Sequence, residues 1–525
     1  MNLRNLLAQR YVGSTVAFVA GVLLSLAFAP AGLWPLAILM PAVLFLLWDD
    51  ATPRRAAVLG FWFNAGTFAA GTYWLYIAIA QIGGAPLYLT AFLMVGLVAI
   101  MGGYHALLGW SVARFLPERG AWRWLAGIPA AWLLIEWFRS WFLTGFGWLA
   151  LGYSQTDTWL ASLAPVAGQY GIGLVVLVLA GALAMAVLGD SRERIASGAV
   201  FALVWVAAFA LRGIEWTQPT PQPLKVAVAQ GAVPQDLKWT TEVEKTQELY
   251  RGLTEQARGA QLIVWPESAV PAYANDVVPF FRDVYLSAAE HGAALIMGTL
   301  RGAPNEQTGE VDYFNSVLAM DPGTEGIGWH DKHHLVPFTE FVPVPQFVRD
   351  WLRLMNLPNA DFTRGAARQQ PLRAAGHRIA ATVCYEDAYG STQLPALREA
   401  TLLVNVTNDA WFGRSSARYQ HLQISRMRTQ EAGRPMVRAA NDGVSAVIDH
   451  HGRVIARAPE YEPTVLRAEL QPRTGLTPYA RVGNWPVVVL SLILGLAAAG
   501  YARFSGRFRA APRTGSSGKQ IKEAS

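Results

Sequence analysis

The sequence predicts two joined fold classes: a membrane region of about eight apolar α-helices and a layered α/β domain outside the bilayer. Three observations carry that reading. Hydrophobic residues make up 53% of the 525 residues and charged residues only 15%, against about a quarter in an ordinary globular chain. The apolar excess sits in charge-free runs near both ends of the chain. Between them, a polar stretch of about 270 residues carries short apolar segments bounded by turn residues. This composition excludes disorder and collagen-like or disulfide-rich scaffolds. A single cysteine excludes an internal disulfide and a cysteine-based zinc site.

Residues 11–48 and 56–113 contain no Asp, Glu, Lys or Arg. A span needs about 20 apolar residues. The first run therefore holds two spans broken near Pro30 and Pro35, and the second holds two broken at 81–86 (QIGGAP). Residues 124–141, 169–189, 195–211 and 482–502 supply four more. Ala27-Phe28-Ala29 imitates a signal-peptide cleavage site, but Pro30 and the immediate second span favour retention. Near the outer end of the fifth span, Glu136 and Arg139 stand three apart on one helical face and read as an interfacial ion pair, with lipid-headgroup binding as the alternative.

Orientation follows from lysine and arginine in the short loops. Fifteen basic residues fall on one side: Arg4, Arg10, Arg54, Arg55, Arg114, Arg119, Arg123, Arg192, Arg194 and six in the tail after residue 502. The alternate loops near Ala31, Gly83 and Gly152 contain none. Both termini are thus expected in the cytoplasm. The net charge of +6 is then a topology signal and no nucleic-acid footprint. The expected organisation is a membrane domain over 1–212, an extramembrane domain over 213–481, a last helix over 482–502 and a basic tail over 503–525.

In the extramembrane part, strands are expected at 224–229, 261–265, 293–298, 316–320, 378–384, 402–406, 444–448 and 465–470, with helices at 242–258 and 280–291. Alternation of strands and helices points to layers, with the pairing left open.

Three residues stand out chemically. Cys384 ends an apolar run and precedes Tyr385-Glu386-Asp387, where an active-site group sits at the edge of a sheet. A buried structural cysteine is the plain alternative. Glu267 follows the run Leu262-Ile263-Val264-Trp265-Pro266 and also ends a strand, although taken alone it reads more readily as a first-turn helix acid. Lys332 lies among His330, His333 and His334, which raise a metal alternative without any further ligand at a confirming spacing, and alone it reads as an ordinary solvated lysine. Taken together, a thiol, a carboxylate able to act as its base and a cation able to meet an oxyanion form the set that acyl transfer requires.

The strings VWPES (264–268), KHHLVPFTEFVP (332–343) and CYED (384–387) resemble the nitrilase, or carbon–nitrogen hydrolase, superfamily. Eight spans around that domain, with AQGAVPQDLKW (229–239) and VNVTNDAWFG (404–413), resemble its membrane-embedded apolipoprotein N-acyltransferase branch. The resemblance implies an αββα sandwich in a bacterial inner-membrane protein, acting on the periplasmic side. It implies transfer of an acyl chain from a phospholipid, typically phosphatidylethanolamine, to the α-amino group of the diacylglyceryl-cysteine of apolipoproteins. It further implies Cys384 as nucleophile and thioester carrier, Glu267 as base and Lys332 as oxyanion partner. Glu340 would support the lysine, Tyr385 and Glu386 would shape the site, and Trp239 would contact substrate. No metal and no cofactor is implied. Thr339 departs from the expected PFGE string, a difference of loop shape.

A thioester suits two bulky lipid substrates that bind in turn. The apolar segment 341–357 is expected to lie on the bilayer as an arm, with a core helix as the alternative. Two rival functions remain at this stage. A membrane-tethered amide or nitrile hydrolase would use the same residues but needs fewer spans. A transporter predicts charges lining a path, and the spans are almost free of them.

Overall fold

A computed structural model describes residues 9–235, 243–324, 326–341 and 362–505. Trp239, most of the expected arm and nearly all of the basic tail lie outside these residues.

Helices occupy all eight positions expected in the membrane region. They are α1 (Arg10–Ser25), α2 (Leu36–Trp48), α3 (Pro53–Gly71), α4 (Leu87–Phe115), α5 (Ile128–Arg139), α6 (Ala164–Leu188), α7 (Ser191–Leu211) and, after the extramembrane domain, α11 (Trp485–Phe504). Among the described residues, four are long and apolar enough to cross a bilayer: α4, α6 with the turn before it, α7 and α11. The others are shorter or begin with charged residues. The expected eight spans are therefore eight helices of unequal reach.

Small residues let α1 and α3 cross closely. A Cβ at Gly21 would overlap the Phe63 carbonyl, and one at Gly66 the Phe18 carbonyl. Large side chains such as Phe92, Leu203 and Leu496 stay exposed along α4, α7 and α11. That is the surface a bilayer covers. Glu136 and Arg139 form no ion pair among the described residues. Glu136 Oε1 accepts the Leu151 amide at 3.1 Å. Arg139 donates to the carbonyls of Phe146 (2.6 Å) and Trp148 (3.0 Å). Both side chains are buried, and each satisfies backbone of one connecting loop where no water competes.

The extramembrane domain has two six-stranded sheets. The first contains β1 (Leu224–Gln230), β2 (Leu262–Val264), β3 (Ala294–Pro304), β4 (Val311–Met320), β5 (Ile327–Asp331) and β12 (Thr464–Leu470) in the order β12-β1-β2-β3-β4-β5. The second contains β6 (Leu372–Ala374), β7 (His377–Val383), β8 (Leu402–Thr407), β9 (Met436–Ala440), β10 (Ala446–Ile448) and β11 (Val454–Arg457) in the order β11-β10-β9-β8-β7-β6. Parallel pairing joins β1 to β2 and β2 to β3, and joins β7 to β8 and β8 to β9.

Side chains alternate between two buried faces along these strands. Val226 and Val228 of β1 turn toward the second sheet, meeting Val383, Val404 and Val437 in the layer between the sheets. Ala227 and Ala229 turn outward and pack with Tyr250 and Leu253 of α8 (Val243–Gln256) and Phe280 and Val284 of α9 (Val278–Ala289). On the far side Leu403, Met436 and Ile448 pack with Leu422 and Ala432 of α10 (Ala417–Ala432). The layers are thus helix, sheet, sheet, helix.

Four strands escape a reading by apolar runs. β5 and β6 are broken by Gly, Arg or Asp, β9 buries Arg438, and β11 is a largely exposed edge. Helix α10 also escapes it, because its sequence is mostly polar although nearly all of it is buried.

Candidate active site

Two parallel strands, one per sheet, end at the same place. Glu267 lies three residues beyond β2, and Cys384 directly follows β7. Carboxyl ends of parallel strands gather side chains in this way. Cys384 opens a 3-10 turn over Cys384–Ala388 and holds a left-handed backbone, φ 54°. Ser268, beside Glu267, has φ 45°, and Phe338, two residues before Glu340, has φ 65°. Such conformations cost about 1–3 kcal/mol each in non-glycine residues and concentrate at functional sites. Gly298 of β3 lies under Glu267, and a Cβ there would come within 2.5 Å of the Glu267 Cα. Only a glycine permits this approach.

Lys332 is 1% exposed. Its Nζ lies 2.9 Å from Glu340 Oε1 and 3.6 Å from Glu267 Oε1. Asn315 of β4 ties the two acids together, donating from Nδ2 to Glu267 Oε1 and to Glu340 Oε1, each at 2.7 Å. Glu340 Oε2 accepts the Val336 amide at 2.8 Å, which fixes the loop. Burial works against the lysine charge, but Glu340 and then Glu267 outweigh it and raise its pKa above the ordinary lysine value. The two acids thus favour the charged ammonium, which suits Lys332 to meet an oxyanion rather than to act as a base.

The Cys384 thiol is 8% exposed. Burial pushes its pKa up, and Glu267 adds to the rise while Lys332 opposes it. The thiol thus keeps its proton until a base takes it, and its surroundings contain both a carboxylate and an ammonium.

Glu386 is fully buried and spends its carboxylate on backbone. Oε1 accepts the amides of His333 (2.7 Å) and His334 (3.0 Å), and Oε2 accepts the Val383 amide at 2.9 Å. It therefore clamps the segment after Lys332 to the strand before Cys384 and positions both. Tyr385 donates its hydroxyl to the Leu335 carbonyl at 2.9 Å, and its ring centre lies 5.8 Å from Lys332 Nζ. Thus Glu267, Lys332, Cys384, Glu340, Tyr385 and Glu386 are gathered at one place.

Asn315 was not singled out by sequence. The expected strand began at Ser316, one residue too late to flag a buried amide inside it. Thr339 needs no glycine, because the left-handed residue of that loop is Phe338. The three histidines do not gather around a point. His333 Nδ1 faces the Gly365 carbonyl at 2.7 Å, and His334 stacks on Tyr389. Among the described residues, only Glu215, His450 and His451 come close enough together to share an ion. There Arg473 already engages Glu215 at 2.5 Å.

The turn that carries Cys384 rests on the membrane region. Tyr389 donates toward the carbonyls of Thr144 and Gly145 at 3.2 Å, and Tyr153 donates to the Ala388 carbonyl at 3.3 Å. Helix α10 extends this seam. Gln420 Oε1 accepts from the indoles of Trp148 (2.7 Å) and Trp74 (3.1 Å), Glu431 Oε1 accepts the Gln169 amide (2.7 Å), and Gln430 donates to the Thr156 carbonyl (2.9 Å).

Comparison with known proteins gives two matching family profiles. One is the apolipoprotein N-acyltransferase N-terminal domain, over residues 20–182, and the other is carbon-nitrogen hydrolase, over residues 225–479. An apolipoprotein N-acyltransferase from Methylococcus capsulatus is 41% identical over 477 residues, covering 90% of this chain and 93% of its own. One from Vibrio parahaemolyticus is 39% identical over 502 residues, covering 93% and 98%. Among solved structures, a carbon-nitrogen hydrolase from Helicobacter pylori is similar over 47% of this chain and 89% of its own, with 18% identity and a TM-score of 0.37.

Proposed function

The chain belongs to the apolipoprotein N-acyltransferase family, and we propose that it acylates the N-terminal amine of S-diacylglyceryl-cysteine apolipoproteins from a phospholipid through a thioester on Cys384. The observation that carries this reading is the buried Glu267–Lys332–Cys384 set, whose cysteine opens a turn docked against the membrane region.

In the first half-reaction Glu267 takes the Sγ proton, and the thiolate attacks the ester carbonyl of the lipid. Lys332 has three N–H donors, of which Glu340 occupies one, so others remain to meet the oxyanion. The C–O bond then breaks, and the lysophospholipid leaves with the proton from Glu267. In the second half-reaction Glu267 deprotonates the incoming amine, the amine attacks the thioester carbonyl, the C–S bond breaks, and the departing thiolate takes the proton back from Glu267. Tyr385 and Glu386 hold the walls, and Trp239 contacts substrate.

The chain is a bacterial membrane protein. The one-sided distribution of basic residues supports an inner-membrane topology with cytoplasmic termini and the catalytic domain, residues 213–481, in the periplasm. Phosphatidylethanolamine is the proposed donor.

The test is intact mass spectrometry of the full-length protein after incubation with phosphatidylethanolamine vesicles, beside a Cys384→Ala control. One added acyl mass, labile to hydroxylamine and absent from the control, is expected. Its transfer to a diacylglyceryl-cysteine peptide separates a transferase from a hydrolase, which would lose it to water. No adduct on the native protein would sink the proposal.

A further inference from the structure

Behind Cys384, at its backbone carbonyl, lies a second charged cluster that the proposed mechanism does not use. His421 of α10 sits at its centre. Nδ1 is 2.8 Å from Asp409 Oδ1, and Nε2 is 3.0 Å from Asp387 Oδ1 and 3.2 Å from the Cys384 carbonyl oxygen. Arg438 of β9 reaches Asp409 Oδ2 at 2.8 Å and stands 3.6 Å from Asp387 Oδ2. It also bonds the Asn405 Oδ1 at 2.5 Å. Ser425 donates to Asp387, and Thr407 donates to Asp409 at 3.2 Å. The Trp148 ring covers the imidazole from the membrane side. His421, Asp387, Asp409 and Arg438 are all at most 1% exposed.

Each ring nitrogen of His421 faces a carboxylate oxygen that only accepts hydrogen bonds. Both nitrogens must therefore carry protons, which makes the ring an imidazolium. Its pKa agrees: burial and Arg438 work to lower it, but Asp387 and Asp409 hold it up at about 9. With the imidazolium, two acids meet two cations and the cluster is neutral. Without it, one uncompensated carboxylate would remain beside the nucleophile. That field reaches the thiol, because Asp409 already contributes to the rise in its pKa.

We propose that His421 is a positioning residue for the nucleophile: as an imidazolium between Asp387 and Asp409 it cancels the excess acid behind Cys384. Together with Asn405, which donates to the same carbonyl at 3.0 Å, it also pins the Cys384 backbone in its left-handed conformation. This role rests on Cys384 being the nucleophile proposed above.

The test follows alkylation of Cys384, the only thiol in the chain, by iodoacetamide in the folded full-length protein between pH 6 and 9.5. Three variants are compared with wild type: H421Q, D409N and D409N/H421Q. H421Q is expected to label about tenfold more slowly at pH 7.5, with its pH profile displaced upward by about one unit. D409N/H421Q, which is neutral again, is expected to return to within about threefold of wild type, although each single change removes a buried partner. A purely structural role would instead make the two losses multiply. That result, or an H421Q profile superimposable on wild type, would overturn the proposal. If H421Q alone fails to fold, the double variant against wild type decides: recovery within threefold supports the charge balance, and a tenfold deficit refutes it. The acyl-adduct experiment stays separate. A wild type that alkylates normally yet gains no acyl mass would refute the transferase reading while leaving this comparison intact.

Discussion

Two charged clusters flank Cys384, and they are built to opposite rules. The front cluster has two acids, Glu267 and Glu340, around one cation, Lys332, with Asn315 as the neutral tie. The back cluster has two acids, Asp387 and Asp409, and two cations, His421 and Arg438. The front counts one more acid than cation beside the buried thiol, whereas the back is balanced, with its charged side chains at most 1% exposed. A cluster that must accept a proton needs more acids than cations, and one that must hold a backbone in place is best left with no net charge.

The strongest way to break this contrast is to remove the front cation. Lys332→Met should leave Glu267 and Glu340 opposed across Asn315 and cost on the order of 3–5 kcal/mol, read as a lowered midpoint in thermal unfolding. Adding Glu340→Gln should recover at least half of that loss. No loss in the single variant would show that the two acids share a proton rather than depend on the lysine.

The back cluster is tested by pH. The His421 pKa is raised from 6.5 to about 9, so its contribution to stability is complete below 6.5 and is lost as pH rises through 9. For Asp409, burial works to raise the pKa, but His421 and Arg438 hold it down from 3.8 to about 2. Its contribution is complete above 3.8 and is lost as pH falls through 2. Melting temperatures across pH should therefore decline on an alkaline limb between 6.5 and 9, and H421Q should flatten that limb. An unchanged limb in H421Q would assign it to another group.

The smallest expected effect concerns loop shape. Thr339→Gly should leave acyl transfer within about twofold and cost only about 0.5–1 kcal/mol through backbone entropy, because the left-handed residue is Phe338. A large gain in turnover would show instead that Thr339 restrains the loop.

The charged members of the front cluster are legible in the sequence, because Glu267 follows an apolar strand and Lys332 and Glu340 share one distinctive string. Hydrophobic runs also locate eight of the twelve strands of the two sheets and every helix position in the membrane region. The back cluster was not legible. Asp387 and Asp409 lie inside strings that were noticed, but His421 and Arg438 lie on a polar helix and a charged strand that apolar patterning assigns to the surface. Both are buried because their acid partners, Asp387 and Asp409, come from the turns that follow β7 and β8, remote in sequence. Asn315 escaped through a one-residue error in a strand boundary. The pairing of Glu136 with Arg139 was misjudged because helical spacing says nothing about a loop that returns to claim both.

Helix α10 meets the membrane region through the polar side chains of Gln420, Gln430 and Glu431, beside Ala417, Ile424 and Met427, which join the apolar core there. Oily surfaces slide over one another at little cost, whereas hydrogen bonds have direction and fixed length. The joint therefore behaves as a keyed coupling. It sets one angle and one height for the two-sheet domain over the membrane helices, and on the proposed function it thereby decides which stretch of a lipid can be brought level with the thiol.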